Sequence, residues 1–260
     1  MTLRVASYPV AMLAVLFSLS AAAASRTSTP PNVLIDLSNF KLTLPVDSKG
    51  KASGKAATIE NQRLNGSPGY TSSYFYSDTD GAMVFYSPSN GADTSPDSGS
   101  DHTRSELREL YRVSGPTEWT NAIGGTMTAS CHVDKVAKKS GKAIIGQIHG
   151  LDSMMMLLYY NAAKKTVEAK FHAKPGSSSV TIYVVASDVK LGDRIDYQIQ
   201  WIGSTASVTV NRNTINRVTS SSWNKVPVYF KAGAYSSAPT TGNASGDATK
   251  VAFSSLQLQH

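Results

Sequence analysis

Arg194-Ile-Asp-Tyr-Gln-Ile-Gln-Trp-Ile202 alternates without a break. Ile195, Tyr197, Ile199 and Trp201 fall on one face of an extended chain, and Asp196, Gln198 and Gln200 on the other. A period of two is the mark of a strand with one dry face and one wet face. Short runs rich in Val, Ile, Thr, Tyr and Phe recur through the chain, several of them alternating in the same way. They lie at Ser73–Tyr76, Ala82–Tyr86, Gly125–Val133, Ala143–His149, Met155–Tyr160, Thr166–His172, Val180–Val185, Ala206–Asn211, Val226–Tyr235 and Val251–Gln259. Clusters of Gly, Ser, Asn and Asp separate them. Many short strands with no intervening helices predict an all-β fold, an antiparallel sandwich or jelly roll. No internal repeat or coiled-coil heptad is present, so one domain over residues 25–260 is expected. Ser87–Asp101 and Ser236–Lys250 read as long loops that could flank a cleft.

The first 24 residues read as a secretory leader. Arg4 and the amino terminus supply the positive region, Val10–Leu19 the apolar run, and Ser20 to Ala24 the small residues before a cleavage site. The run is short for a membrane span and no later stretch is long enough, so a secreted protein without a membrane anchor is expected. Cys131 is the single cysteine, which excludes an intramolecular disulfide and reads as a buried apolar side chain. Asn65-Gly-Ser67 and Asn243-Ala-Ser245 match the glycosylation acceptor pattern. The formal net charge of +7 favours anionic partners. For a secreted chain an anionic glycan is expected rather than nucleic acid, and a monomer suffices for such a role.

Three segments carry polar residues where a core strand would not. Arg104-Ser-Glu-Leu-Arg108 as a strand places Arg104, Glu106 and Arg108 on one face, a guanidinium array able to hold a carboxylate. The same residues also fit a solvated helix with ion pairs at helical spacing. Gln147 and His149 share one face of Ala143–Gly150, with Ile148 on the other. Histidine can act as a base near neutral pH, but a satisfied histidine at the rim of a core reads equally well. Tyr229, Lys231, Gly233 and Tyr235 share a face of Val228–Tyr235, a floor suited to a sugar chain, with Gly233 permitting close approach. An exposed aromatic strand face is the plainer alternative. His102, His132, His149, His172 and His260 show no zinc spacing, so no metal is expected. Nucleophile-elbow and phosphate-loop motifs are absent. Hydrolysis of a glycoside needs two facing carboxylates, and the strand bearing Gln147 and His149 offers none.

Together these blocks resemble the alginate lyases of polysaccharide lyase family 7. Arg104-Ser-Glu-Leu-Arg108, Gln147-Ile-His149 and Tyr229-Phe-Lys-Ala-Gly-Ala-Tyr235 match its three patterns in order. Phe40-Lys-Leu-Thr-Leu-Pro45 and Asp80-Gly-Ala-Met-Val-Phe85 are similar to that family too. Ser236-Ser237 departs from it where Asn-Gln often follows the last tyrosine. The resemblance implies a β-jelly roll with a concave substrate-binding sheet, and a strand at Arg104–Arg108. It implies that Arg104 and Gln147 neutralise a uronate carboxylate, that His149 acts as or supports the base, and that Tyr235 is the acid and for some substrates also the base. It assigns Glu106, Arg108, Tyr229 and Lys231 to substrate binding, with Glu106 and Arg108 either holding the carboxylate-binding array or contacting neighbouring sugars, and requires no cofactor. The reaction would be β-elimination: loss of the C5 proton, departure of O4 and formation of a C4–C5 double bond. Ile148 between Gln147 and His149 resembles members that accept guluronate. A lyase for another polyuronate such as glucuronan, and a carbohydrate-binding module without catalysis, are the alternatives.

Overall fold

A computed structural model describes residues 24–95, 102–150 and 153–260. The leader expected at residues 1–24 lies, apart from Ala24, outside the described residues, as does part of the Ser87–Asp101 loop. The strands in chain order begin with β1 (Phe40–Thr43), β2 (Thr58–Ile59), β3 (Phe75–Ser77), β4 (Met83–Pro88) and β5 (Arg104–Glu109). There follow β6 (Gly125–Lys135), β7 (Lys142–Gly150), β8 (Met154–Asn161), β9 (Thr166–His172) and β10 (Val180–Ala186). The last five are β11 (Arg194–Ile202), β12 (Thr205–Val210), β13 (Asn213–Val218), β14 (Val228–Ser236) and β15 (Ala248–Gln259).

They form two antiparallel sheets packed face to face, the expected jelly-roll sandwich. One runs β10-β9-β8-β7-β14-β5-β1-β2 and the other β13-β12-β11-β6-β15-β4-β3. In β11, Ile195, Tyr197, Ile199 and Trp201 are buried between the sheets, as their alternation predicts. The buried Tyr197 hydroxyl donates to the carbonyl of Ile145 across the sandwich at 2.9 Å, which satisfies it without water. Cys131 is a buried free thiol in the same layer. Arg104–Glu109 is a strand, which settles the helix-or-strand ambiguity. The strand β13 was not foreseen, because Asn213-Thr-Ile-Asn-Arg-Val218 is an exposed edge with no apolar face to read.

Irregular registers curve the eight-stranded sheet. Between Ile144 and Gln147, β7 carries one residue more than β8 opposite it, while β14 carries one more than β7. Ile145 and Gly146 both turn toward the core, and Ile144 and Gln147 both face the opposite side. Such bulges bend a strand and re-aim its side chains. Gly233 lies at this irregularity with φ +155. A Cβ there would lie 2.5 Å from the Ser105 carbonyl oxygen and 2.7 Å from Glu106 Cα. The expectation for Gly233 is therefore corrected: the close approach it permits is that of β5, not of a sugar.

The end of β15 is pinned by a buried pair. Glu109 accepts from Trp119 Nε1 at 2.8 Å and from the Phe230 amide at 2.7 Å, and its other oxygen lies 2.5 Å from His260 Nε2. Burial alone would lower the imidazole pKa, but Glu109 and the Gly124 carbonyl outweigh it and the net shift is upward. A raised folded-state pKa means stabilisation that is complete below the ordinary histidine range and is lost as pH rises through the folded value. The melting temperature is therefore expected to fall as pH rises above the ordinary histidine range. The fall should be smaller in His260→Gln; equal slopes in thermal scans of the two proteins would refute the pairing.

Candidate active site

The polar residues of the three segments meet because β14 lies between β5 and β7. Lys231 pairs with Arg108 on one side and Gln147 on the other, Tyr235 pairs with Arg104 and Ile144, and Tyr229 pairs with His149. Their shared face lines a cleft of about 400 Å³. Arg104, Arg108, His149, Tyr229, Lys231 and Tyr235 all reach it. Thr43, Thr94, Ser95 and Met154 complete its walls. None of these four has a chemistry that stands out in the sequence, and only Thr43 lies in one of the family-like blocks.

Beneath the floor sits one carboxylate. Glu106 has no exposed surface. One of its oxygens accepts from Gln147 Nε2; the other lies 2.6 Å from Lys231 Nζ and 3.7 Å from Arg104 Nη1. Buried charge survives only with such partners. Glu106 therefore does not present itself to a ligand: of its two expected roles, holding the array fits its position and substrate contact does not. Gln147 is likewise wholly buried and absent from the cleft lining, with its amide committed to Glu106. Glu106 holds Lys231 and Arg104 from below, and Gln147 in turn holds Glu106.

The aromatic rings are held by cations. The Arg104 guanidinium lies 4.0 Å from the centroid of Tyr235, and that of Arg108 lies 4.0 Å from the centroid of Tyr229. Arg108 is also paired with Glu118, a residue with no distinguishing sequence signal. Arg104, Arg108 and Lys231 thus face two carboxylates, Glu106 and Glu118, and the group keeps an excess of positive charge. The His102 ring centroid is 6.0 Å from that of Tyr235.

His149 stacks on Tyr229, with centroids 5.5 Å apart and planes at 21°. Its Nδ1 bonds the carbonyl of Gly150. A carbonyl only accepts, so Nδ1 carries the proton and Nε2 keeps the lone pair. Burial, helped by the Lys231 charge, lowers the His149 pKa to about 4. Burial lowers Lys231 to about 8, with Glu106 opposing the fall. At neutral pH the site therefore presents a neutral imidazole beside two tyrosines and three cations that share two carboxylates. That set can bind a carboxylate and move protons at atoms beside it. Among the described residues no group of three or more His, Cys, Asp or Glu side chains is placed to hold a metal ion.

A second cavity of about 430 Å³ adjoins at Glu118 and Gly150, but its walls are chiefly apolar and it holds no cation. No helix among the described residues is long and apolar enough to cross a membrane.

Comparison with known proteins agrees with this geometry. An alginate lyase of Klebsiella pneumoniae is 27% identical over 295 residues, covering 91% of this chain and 93% of the relative. The solved structure of alginate lyase A1-II', described as a member of polysaccharide lyase family 7, superposes with a TM-score of 0.77 at 29% identity. That match covers 88% of this chain and 98% of the other. Variants of A1-II' with product (GGG) and with substrate (GGMG) are similar at 29% and 28% identity, with TM-scores of 0.77 and 0.78. They cover 92% and 90% of this chain and 100% and 97% of theirs. Alginate lyase PA1167 from Pseudomonas aeruginosa gives a TM-score of 0.76 at 28% identity, covering 86% of this chain and 99% of its own. The family described as alginate lyase matches residues 35–260, and the chain belongs to that family.

Proposed function

We propose that this chain is a family 7 polysaccharide lyase, exported after loss of residues 1–24, that cleaves guluronate-containing alginate by β-elimination. The observation that carries the reading is the convergence of a neutral imidazole, a phenol and two ring-stacked arginines on one cleft. The guluronate assignment draws support from the oligosaccharides bound in the A1-II' complexes, reading G as guluronate. Ile148 itself is buried in the core, so it acts on the sugar only through its neighbours.

Arg104 and Lys231 receive the uronate carboxylate. Neutralising it stabilises the enolate-like charge that develops when C5 loses its proton, and such electrostatic stabilisation is usually the main source of rate acceleration. His149 Nε2 takes that proton; the negative charge of the bound uronate raises its basicity from the unliganded value. The C5–H electron pair forms the C4–C5 double bond, the C4–O4 bond breaks, and the Tyr235 hydroxyl protonates O4. Each proton transfer contributes roughly a hundred- to ten-thousandfold. Arg108 and Tyr229 bind the neighbouring sugar. Glu106 positions Lys231 and Arg104 from beneath, and Gln147 holds Glu106.

The test is the ultraviolet absorbance of the unsaturated product, followed on polyguluronate, polymannuronate and glucuronan across pH. Alginate containing guluronate should be cleaved fastest. His149 must be neutral and Lys231 charged, so kcat/KM should rise through about pH 4 and fall through about pH 8. No absorbance on any alginate would refute the reading, and faster cleavage of glucuronan would move the substrate.

A further inference from the structure

The cleft-facing side of the eight-stranded sheet continues past the site. Two registered rows cross it. One runs Arg108, Lys231, Gln147, Leu157, Lys170 and Ile182 on β5, β14, β7, β8, β9 and β10. The other runs Arg104, Tyr235, Ile144, Tyr159 and Glu168. Tyr235 packs with Ile144, Leu157 and Tyr159 in a small apolar cluster separate from the core, so the floor is unbroken as far as β8.

Two lysines stand at its far side. Lys142 Nζ lies 5.3 Å from the Tyr159 ring centroid. Lys170 is in register with Leu157. Both are half-buried, and among the described residues neither pairs with a carboxylate. Lys164, Lys231 and Lys250 all do. The nearest acid on this face, Glu168, is already engaged. Its oxygens accept from the Tyr159 hydroxyl at 2.5 Å, from Thr166 at 2.8 Å and from Asn161 at 3.2 Å, and Lys164 lies 3.4 Å away. Burial first, and then the Lys142 charge, lower the Lys170 pKa. The two ammonium groups therefore share one region whose nearest acid, Glu168, is taken up by Tyr159, Thr166, Asn161 and Lys164. Half-burying two cations without a counter-ion is unfavourable unless an anion completes the site.

We propose that Lys142 and Lys170 form a second carboxylate site, which receives another uronate of the same chain once the first is held at Arg104 and Lys231. This inference rests on the reading of the cleft as a polyuronate site. Lys170 is three strand spacings from Lys231, about 14 Å across the sheet. A chain engaging both runs across the strands and contributes several sugars. The site adds affinity for long chains and takes no part in proton transfer.

The test compares Lys142→Gln/Lys170→Gln with Lys142→Arg/Lys170→Arg on polymeric alginate. The glutamine pair should raise KM about tenfold with kcat within twofold, and weaken the salt dependence of KM. The arginine pair should keep KM near wild type. Binding is read separately from retardation in native gels containing alginate, in a Tyr235→Phe background that leaves the gel undigested. Unchanged KM and unchanged retardation in the glutamine pair would overturn the inference while leaving the lyase reading intact. Absent turnover in wild type, with retardation that the glutamine pair loses, would overturn the lyase reading and keep the anion site. Wild type neither active nor retarded would remove both.

Discussion

Tyr235→Phe is expected to reduce turnover of alginate by roughly a hundred- to ten-thousandfold, the range for loss of a positioned proton donor. The substitution removes one oxygen and keeps the ring. The ring is what Arg104 stacks on at 4.0 Å and what Ile144, Leu157 and Tyr159 pack against. Cleft shape and guanidinium position therefore survive, and the protein should melt at nearly the same temperature as wild type. Retardation in alginate gels should also be retained, because the carboxylate-binding cations are untouched. Turnover within tenfold of wild type would remove Tyr235 from the role of acid. Loss of binding along with turnover would show the hydroxyl to be a binding group instead.

Glu106→Ala should have the largest effect on stability. It leaves Lys231 and Arg104, both almost inaccessible to water, without their shared counter-ion, and leaves the wholly buried Gln147 without its acceptor. Removing one partner of a buried ion group costs about 3–5 kcal/mol. For a domain of this size that corresponds to a fall in melting temperature on the order of 10 °C. Glu106→Gln keeps the shape and an acceptor, and should cost less. The gentler variant also carries a second readout. Glu106 opposes the fall of the Lys231 pKa, so its neutralisation should move the alkaline limb of kcat/KM below about pH 8. A melting temperature within about 2 °C of wild type in the alanine variant would mean that Glu106 is not the anchor of the floor.

The sandwich was legible because its strands alternate. Ile195, Tyr197, Ile199 and Trp201 read as a core face from spacing alone, and the structure buries all four. The site was legible as three blocks in order, but not in depth. A period of two says which face Gln147 and Glu106 share; it does not say that a bulged, curved sheet sinks them beneath Lys231 and Arg104. Gly233 was placed on the right face with the wrong neighbour, since contact with β5 depends on a register that local sequence does not encode. Met154 sits one residue before a run read as a strand and Glu118 in a segment without periodic character, and only tertiary packing brings the one to the cleft and the other to its guanidinium. The polar edge β13 carries no alternation, so nothing marked it.

The position of β14 has a consequence in time. β5 and β7 hold half of the site by residue 150, yet the strand between them ends at Ser236. Until that strand arrives, β5 and β7 have no strand to join them and Glu106 has no ammonium to hold. Pairings so distant along the chain carry a large loop-closure cost and form slowly. During synthesis the growing polypeptide therefore remains incapable of attacking polyuronate until Ser236 has emerged and the late strand has docked. Competence waits on the docking of one late strand.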